Sequence, residues 1–294
     1  MDTKYEKEAK RHHYIPQFIL RNFCFDEKEK VKYFNKHTKN VEIKNIKNIF
    51  MEKDLYRDEI NCGDDPTQLE KDFSKYENEI SRIVKKMLND DEIIFTSFEY
   101  ESLKLFLAIS GMRTKNAKEM FGDTKENELF YKQWQENGNI NDLWKRNLEH
   151  LVKCRSLKEV SENDAIDEPI KLFVIRDTVG LIGKYFVVVE QRGEESFVLG
   201  DCCPITMVSN IPGILLYNFF PLSPNRMLIV VDEIVSKMSE QHTVISKKVL
   251  KKHCDFKNGE TTIKVRKIYK PDIKYINDGI KNASKEGYIF KCKD

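Results

Sequence analysis

The clearest periodicity in the chain lies between Thr67 and Leu88, where Leu69, Phe73, Tyr76, Ile80, Val84 and Met87 recur at intervals of three and four. That spacing predicts an amphipathic helix. A second helix is predicted from Thr96, because Thr96-Ser97-Phe98-Glu99 has the form of a capping box and Leu103, Phe106, Leu107 and Ser110 follow toward Arg113. A further charged, helical region covers about residues 125–160. Before these helices, Val31-Lys32-Tyr33-Phe34 and Val41-Glu42-Ile43 flank a polar stretch and predict a hairpin. Asn61 to Pro66 is a breaker.

The pattern changes at Pro169. Lys171 to Asp177, Lys184 to Gln191, Phe197 to Leu199, Leu215 to Phe220 and Arg226 to Val231 are rich in Val, Ile, Phe and Tyr, as strands are. Arg192-Gly193-Glu194 is placed as a hairpin turn, so this half is expected to form an antiparallel sheet. Helices are expected again over Asp232 to Glu240, Val244 to Lys252 and Pro271 to Lys285. The order predicts an α+β fold: an N-terminal hairpin and helices packed with a mainly antiparallel sheet, followed by C-terminal helices. Residues 1–294 are expected to form one domain, with 1–165 mainly helical and 166–294 sheet-containing if it subdivides.

Composition narrows the setting. No apolar run approaches the roughly 20 residues needed to cross a bilayer, and Met1 to Lys7 has no apolar core of a signal peptide, so a soluble cytoplasmic protein is expected. The seven cysteines are scattered without a Cys-x-x-Cys pair, which argues against a zinc ribbon or a thioredoxin-like motif and for reduced thiols. The net charge of +2 conceals a segregation: residues 1–53 carry +5, residues 247–294 carry +8, and the middle carries −11. Termini that meet in the fold would make one basic face suited to nucleic acid; lysines that only solvate the surface are the plainer reading.

Six side chains stand out as carriers of chemistry. In His12-His13-Tyr14-Ile15-Pro16-Gln17, the proline biases Ile15 toward an extended conformation. That setting places His13, with Gln17 beyond it, as a general acid/base or ligand. The competing role is a histidine satisfied by a backbone carbonyl. Glu70 and Glu77 lie seven residues apart, which on a helix is about 20° around the axis and about 10 Å along it. Arg113 falls at the apolar edge of its own helix, and a Glu–Arg bond between helices is its ordinary explanation. Asp201, in Gly200-Asp201-Cys202-Cys203-Pro204, is placed either as a base or metal ligand or as a turn-capping aspartate. Nucleotide-loop, dinucleotide, serine-hydrolase and zincin signatures are absent.

The run His12-His13-Tyr14-Ile15-Pro16-Gln17-Phe18-Ile19-Leu20-Arg21-Asn22-Phe23 resembles the opening of a bacterial family known as domain of unknown function 4238. The resemblance continues in order through Asp54-Leu55-Tyr56, Leu69-Glu70, Tyr76-Glu77, Met112-Arg113-Thr114, the Asp201 turn, Pro221-Leu222-Ser223-Pro224 and Ile276-Asn277. It departs at the turn, where the family's Ser/Thr-Asp-x-Pro is replaced by a sequence one residue longer that lacks the hydroxyl. The resemblance implies a shared set of polar residues rather than an activity, with a background in mobile elements or defence against phage.

Two functions compete on this footing. The first is a nuclease: His13 is the general acid/base, Glu70 and Glu77 hold a divalent metal such as Mg²⁺ or Mn²⁺ or orient His13, Arg113 stabilises developing phosphorane charge, and Gln17 and Asp201 complete the cluster. The basic termini would steer nucleic acid toward it. The second is a non-catalytic binding or sensor module for a phage component or protein partner, in which the same residues fix an interface.

Overall fold

A computed structural model of the chain describes residues 11–58, 65–120, 143–162, 181–208, 215–239, 243, 245–253 and 255–291. Its elements follow in the order β1 (Arg11–His13), α1 (Gln17–Arg21), β2 (Lys30–Asn35), β3 (Asn40–Asn45), β4 (Met51–Lys53), α2 (Gln68–Asn89), β5 (Glu92–Thr96) and α3 (Ser97–Met112). Next come α4 (Lys115–Met120), α5 (Leu143–Lys153), α6 (Leu157–Glu162), β6 (Lys184–Gln191), β7 (Leu199–Gly200), β8 (Ile205–Val208), β9 (Leu215–Pro221) and β10 (Arg226–Asp232). The chain closes with α7 (Lys247–Leu250), β11 (Glu260–Lys264), β12 (Arg266–Ile268), α8 (Lys270–Ala283) and β13 (Gly287–Phe290). The fold is α+β, as the pattern predicts.

The two long helices form where periodicity places them. On α2, Leu69, Phe73, Ile80, Ile83, Val84 and Met87 are buried as one stripe. On α3, Thr96 accepts from the Glu99 N–H while the Glu99 carboxylate accepts from the Thr96 N–H, completing the predicted box. The α3 helix is buried on nearly all sides from Tyr100 to Met112, which makes it the central rod of the core. It runs beside α2, α5 and β5. Arg226 of β10 donates to the carbonyls of Met87 and Asp90, so the sheet caps the far end of α2.

The sheets are mainly antiparallel. A five-stranded sheet has the order β12-β6-β10-β9-β8, with only β12 parallel to its neighbour. A four-stranded sheet has the order β3-β2-β13-β7, and two-stranded ribbons join β1 to β4 and β5 to β11. The predicted hairpin is β2–β3, and β13 adds to it from the other end of the chain, Tyr288 opposite Phe34 and Phe290 opposite Lys32. The basic N- and C-terminal segments therefore share one sheet.

Three sequence expectations need correction. Arg192-Gly193-Glu194 closes no hairpin: β6 pairs with β10 and β12, whereas β7 belongs to the other sheet. After β6 the chain crosses between sheets, with the Phe197 N–H donating to the Pro224 carbonyl and Asn277 gripping Ser196 and Val198. The helix expected over Asp232 to Glu240 is a single 3₁₀ turn, Glu233–Lys237, and that over Val244 to Lys252 is the four residues of α7. The helix expected over Pro271 to Lys285 forms as α8, and the short strands β11, β12 and β13 that flank it were not expected, because their pairing partners β5, β6 and β2 lie far away in sequence. Lys171 to Asp177 and most of Asn61 to Pro66 fall outside the described residues, as does the first part of the 125–160 region. Cys202 and Cys203 are free thiols, as are Cys24 and Cys154. Among the described residues no helix is long and apolar enough to cross a membrane.

Candidate functional site

Pro16 sets the N-terminus of α1, and its carbonyl accepts from the Ile19 and Leu20 N–H groups. The residues just before it are pinned: the Tyr14 N–H donates to the Phe50 carbonyl, and β1 pairs with β4. His13 is buried with both ring nitrogens engaged. Nε2 lies 3.1 Å from the Ile46 carbonyl and Nδ1 lies 3.2 Å from Gln17 Nε2. A carbonyl can only accept, so Nε2 carries the proton and Nδ1 receives the Gln17 amide. Burial lowers the His13 pKa, Arg113 and Arg11 press it further down, and the Ile46 carbonyl acts in the opposite sense. Gln17 in turn accepts from Arg21 Nη2 at 3.3 Å. His12 points elsewhere: it lies flat against the Tyr56 ring, centroids 5.6 Å apart, and its Nδ1 accepts from the Tyr56 N–H at 2.8 Å.

Arg113 caps the C-terminus of α3 and is 2 % exposed. Its guanidinium donates from Nη1 to Glu77 Oε1 at 2.5 Å, from Nη2 to the His13 carbonyl at 2.7 Å, and from Nε to the Tyr56 hydroxyl at 3.3 Å. The Phe73 ring covers it, 4.1 Å from Cζ to the centroid. Burial opposes the charge, but Tyr56, Glu77 and Glu70 outweigh it, and the Arg113 pKa is raised. One side chain thus joins β1, the loop after β4, α2 and α3.

Glu70, about two turns before Glu77 on α2, differs from the rest. The residue is only partly buried, yet its Oε2 is fully enclosed and has no hydrogen-bond partner. Burial raises its pKa to about 7; Arg113 draws it down and Glu77 pushes it up. A carboxyl at that value exchanges protons near neutrality.

Asp201 belongs to a different constellation. Its two carboxylate oxygens accept from the N–H groups of Lys285, Glu286 and Gly287 at 3.0, 2.5 and 3.4 Å. This is the turn-capping role, clamping the link between α8 and β13. Burial raises its pKa while the three N–H groups act against the rise. Glycine at position 200 follows from the same closeness, because a Cβ there would collide with Ile280 of α8 and with Ser284, which caps that helix. Glu286 leads back toward the histidine segment: it receives Lys115 Nζ at 2.5 Å and the Tyr14 hydroxyl at 3.2 Å, and Lys115 also approaches Glu52 at 3.6 Å. Among the described residues no hydrogen bond joins Asp201 to His13, Glu70, Glu77 or Arg113.

The structure therefore gathers His13, Gln17, Glu77 and Arg113 into one hydrogen-bonded network, sets Glu70 beside it as a titrating neighbour, and places Asp201 at an adjoining clamp. Tyr56, to which sequence reasoning assigned no role, is a hub of the network: its ring meets His12, Phe73 and Trp144, and its hydroxyl meets Arg113. Its place beside Asp54 and Leu55 in the ordered motifs was the available signal. Among the described residues no three His, Cys, Asp or Glu side chains come together as metal ligands. Glu70 and Glu77 are the two candidate donors, and Glu77 is taken by Arg113, so these side chains do not by themselves fit a divalent ion.

Residues 11–294 match a family described as Protein of unknown function (DUF4238). No curated protein and no solved structure matches the chain.

Proposed function

The chain belongs to that family of unknown function, and we propose that it is a nuclease, hydrolysing phosphodiester bonds with Glu70 as its proton-transferring group. The observation that carries this reading is Glu70: a carboxyl raised to about 7, partly open to solvent, with one oxygen enclosed and unpartnered, beside a second carboxylate paired to Arg113. Two carboxyl groups in contrasting environments are the arrangement by which acid/base hydrolysis divides its tasks. In the reaction so drawn, ionised Glu70 takes a proton from water as the water oxygen attacks phosphorus. The phosphorus–oxygen bond to the leaving group then breaks, and Glu70 returns the proton to that oxygen. His13 and Arg113 act as positioning residues, since their polar atoms are already committed within the chain. No step is assigned to a metal. The shared sheet of the two basic termini supports a polyanionic substrate.

Purified protein incubated with single- and double-stranded DNA and RNA, in EDTA and with added Mg²⁺ or Mn²⁺, tests the proposal. Wild-type protein should cleave at least one substrate, and Glu70→Gln should lose roughly 100-fold or more in rate with a melting temperature no lower than that of wild type. Equal rates for the two would refute Glu70 as the catalytic group. The defence role that the resemblance implies belongs to the same proposal: cells carrying the wild-type chain should resist phage, and cells carrying Glu70→Gln should not.

One observation favours the second reading, a non-catalytic binding or sensor module for a protein partner. Arg113 and His13 direct all of their described hydrogen bonds inward, as an interface-fixing network would. In that case Glu70→Gln would leave every function intact, whereas breaking Arg113 would only unfold the protein.

A further inference from the structure

The outer face of the four-stranded sheet carries a surface that the nuclease proposal does not use. Alternation along β2 and β13 turns Val31, Tyr33, Gly287 and Ile289 inward and leaves Lys32, Phe34, Tyr288 and Phe290 on the other face. The registers align them in two cross-strand rows, Val41-Phe34-Tyr288 and Ile43-Lys32-Phe290. Phe34 and Tyr288 stack with centroids 5.1 Å apart and an interplanar angle of 22°, and Phe290 adjoins Tyr288 at 6.0 Å. Val41 and Ile43 stand 57 % and 61 % exposed on the edge strand β3. A pocket of about 290 Å³ opens over these rings, and Lys281 and Lys291 stand at its rim. Lys281 Nζ lies 5.8 Å from the Tyr288 centroid.

We propose that this face binds single-stranded nucleic acid, with bases stacking on Phe34, Tyr288 and Phe290 and phosphates running along Lys32, Lys281 and Lys291. The stacked rings offer π-faces that any base can cover, and lysines between aromatics supply the backbone contact that single strands require. Charge selects this occupant over a protein strand. Lys30 and Lys32 lie on this face by the alternation of β2, and Lys281 and Lys291 line its pocket. The acidic wall across the pocket is Glu194 and Glu195, and Glu195 is drawn toward Lys270 at 3.4 Å. A strand therefore follows the lysine side. A duplex hides its base faces and gains nothing from the rings. The inference deepens the nuclease reading by naming its substrate class, but it stands on binding alone.

The test is fluorescence anisotropy with labelled 12-nucleotide oligo(dT) and oligo(U) and a matched duplex, all in the Glu70→Gln background so that no probe is consumed. Single strands should bind more tightly than the duplex, with affinity falling steeply as salt rises. Tyr288→Ala and Phe34→Ala should each weaken binding about 10-fold, and Lys281→Glu should weaken it further at low salt. These side chains are only partly buried, and circular dichroism with thermal melting checks that each variant folds. Unchanged affinity in the Phe34→Ala/Tyr288→Ala/Phe290→Ala variant, or no binding of either oligonucleotide at low salt, would overturn the proposal. Self-association lost on Val41→Lys without oligonucleotide binding would likewise overturn it, showing an interface between copies. Oligonucleotide binding that depends on the rings, in a protein whose wild-type form cleaves nothing, would leave this surface standing and remove the nuclease reading. Cleavage indifferent to the rings would do the reverse.

Discussion

Glu77 Oε1 lies 2.5 Å from Arg113 Nη1, a contact that ties α2 to the end of α3 across 36 positions of sequence. Because Arg113 also reaches the His13 carbonyl, this ion pair fixes the histidine segment against both helices. Removing either partner leaves the other charge poorly solvated. Arg113→Ala is expected to cost about 3–5 kcal/mol of stability, measured by urea unfolding. In a double-mutant cycle, Glu77→Gln should show a coupling with Arg113→Ala of about 1 kcal/mol or more. Additive effects would mean that the pair contributes little.

The Glu70 carboxyl makes stability depend on pH in a definite direction. Its folded pKa of about 7 lies above the unfolded value of about 4.3, so the native state binds the proton more tightly. The stabilisation is fully present below pH about 4.3 and is lost as pH rises through about 7. Glu70→Gln should therefore be more stable than wild type at pH 8, by up to about 3 kcal/mol, and no more stable at pH 4. His13, whose pKa is lowered, acts oppositely, losing stability as pH falls through the unfolded value of about 6.5. The difference between wild type and Glu70→Gln across pH isolates the carboxyl.

Asp201 is expected to behave as a clamp. Asp201→Ala strands three N–H groups at residues 285–287 and should cost about 2–4 kcal/mol. Amide exchange at Lys285, Glu286 and Gly287 should accelerate well beyond that of the helices, read by hydrogen exchange. Retention of their protection would deny the clamp.

Gly200→Ala tests the close approach of β7 to α8. The added methyl meets Ser284 and Ile280 and should cost about 1–3 kcal/mol, read as a lowered melting temperature. Restoration of stability by Ser284→Gly in the same chain would identify the collision.

Local signals and long-range pairing differ in how far they could be read. The α2 and α3 helices and the β2–β3 hairpin were legible because periodicity, a capping box and a polar turn act within a few residues. Strand β13, only Gly287–Phe290, was hidden because it becomes a strand by lying between β2 and β7. The same holds for the crossing after Gln191, where a glycine turn resembles a hairpin but the partner strand is β10 rather than β7. At the site, Glu77 with Arg113 and the capping role of Asp201 were legible as alternatives, and the structure shows the ordinary one in each case. The hub role of Tyr56 could not be read, because it depends on rings and donors from four separate segments. Nor could the contrast between Glu70 and Glu77, which share a helix face but not a partner.

The central claim, that Glu70 is a proton-exchanging carboxyl in a site otherwise committed to holding itself together, is tested most directly by titrating it. With ¹³C-labelled glutamate, the Glu70 side-chain carboxyl resonance, assigned by its disappearance in Glu70→Gln, should shift with a midpoint near pH 7. A midpoint at the ordinary glutamate value of about 4.3 would contradict the account.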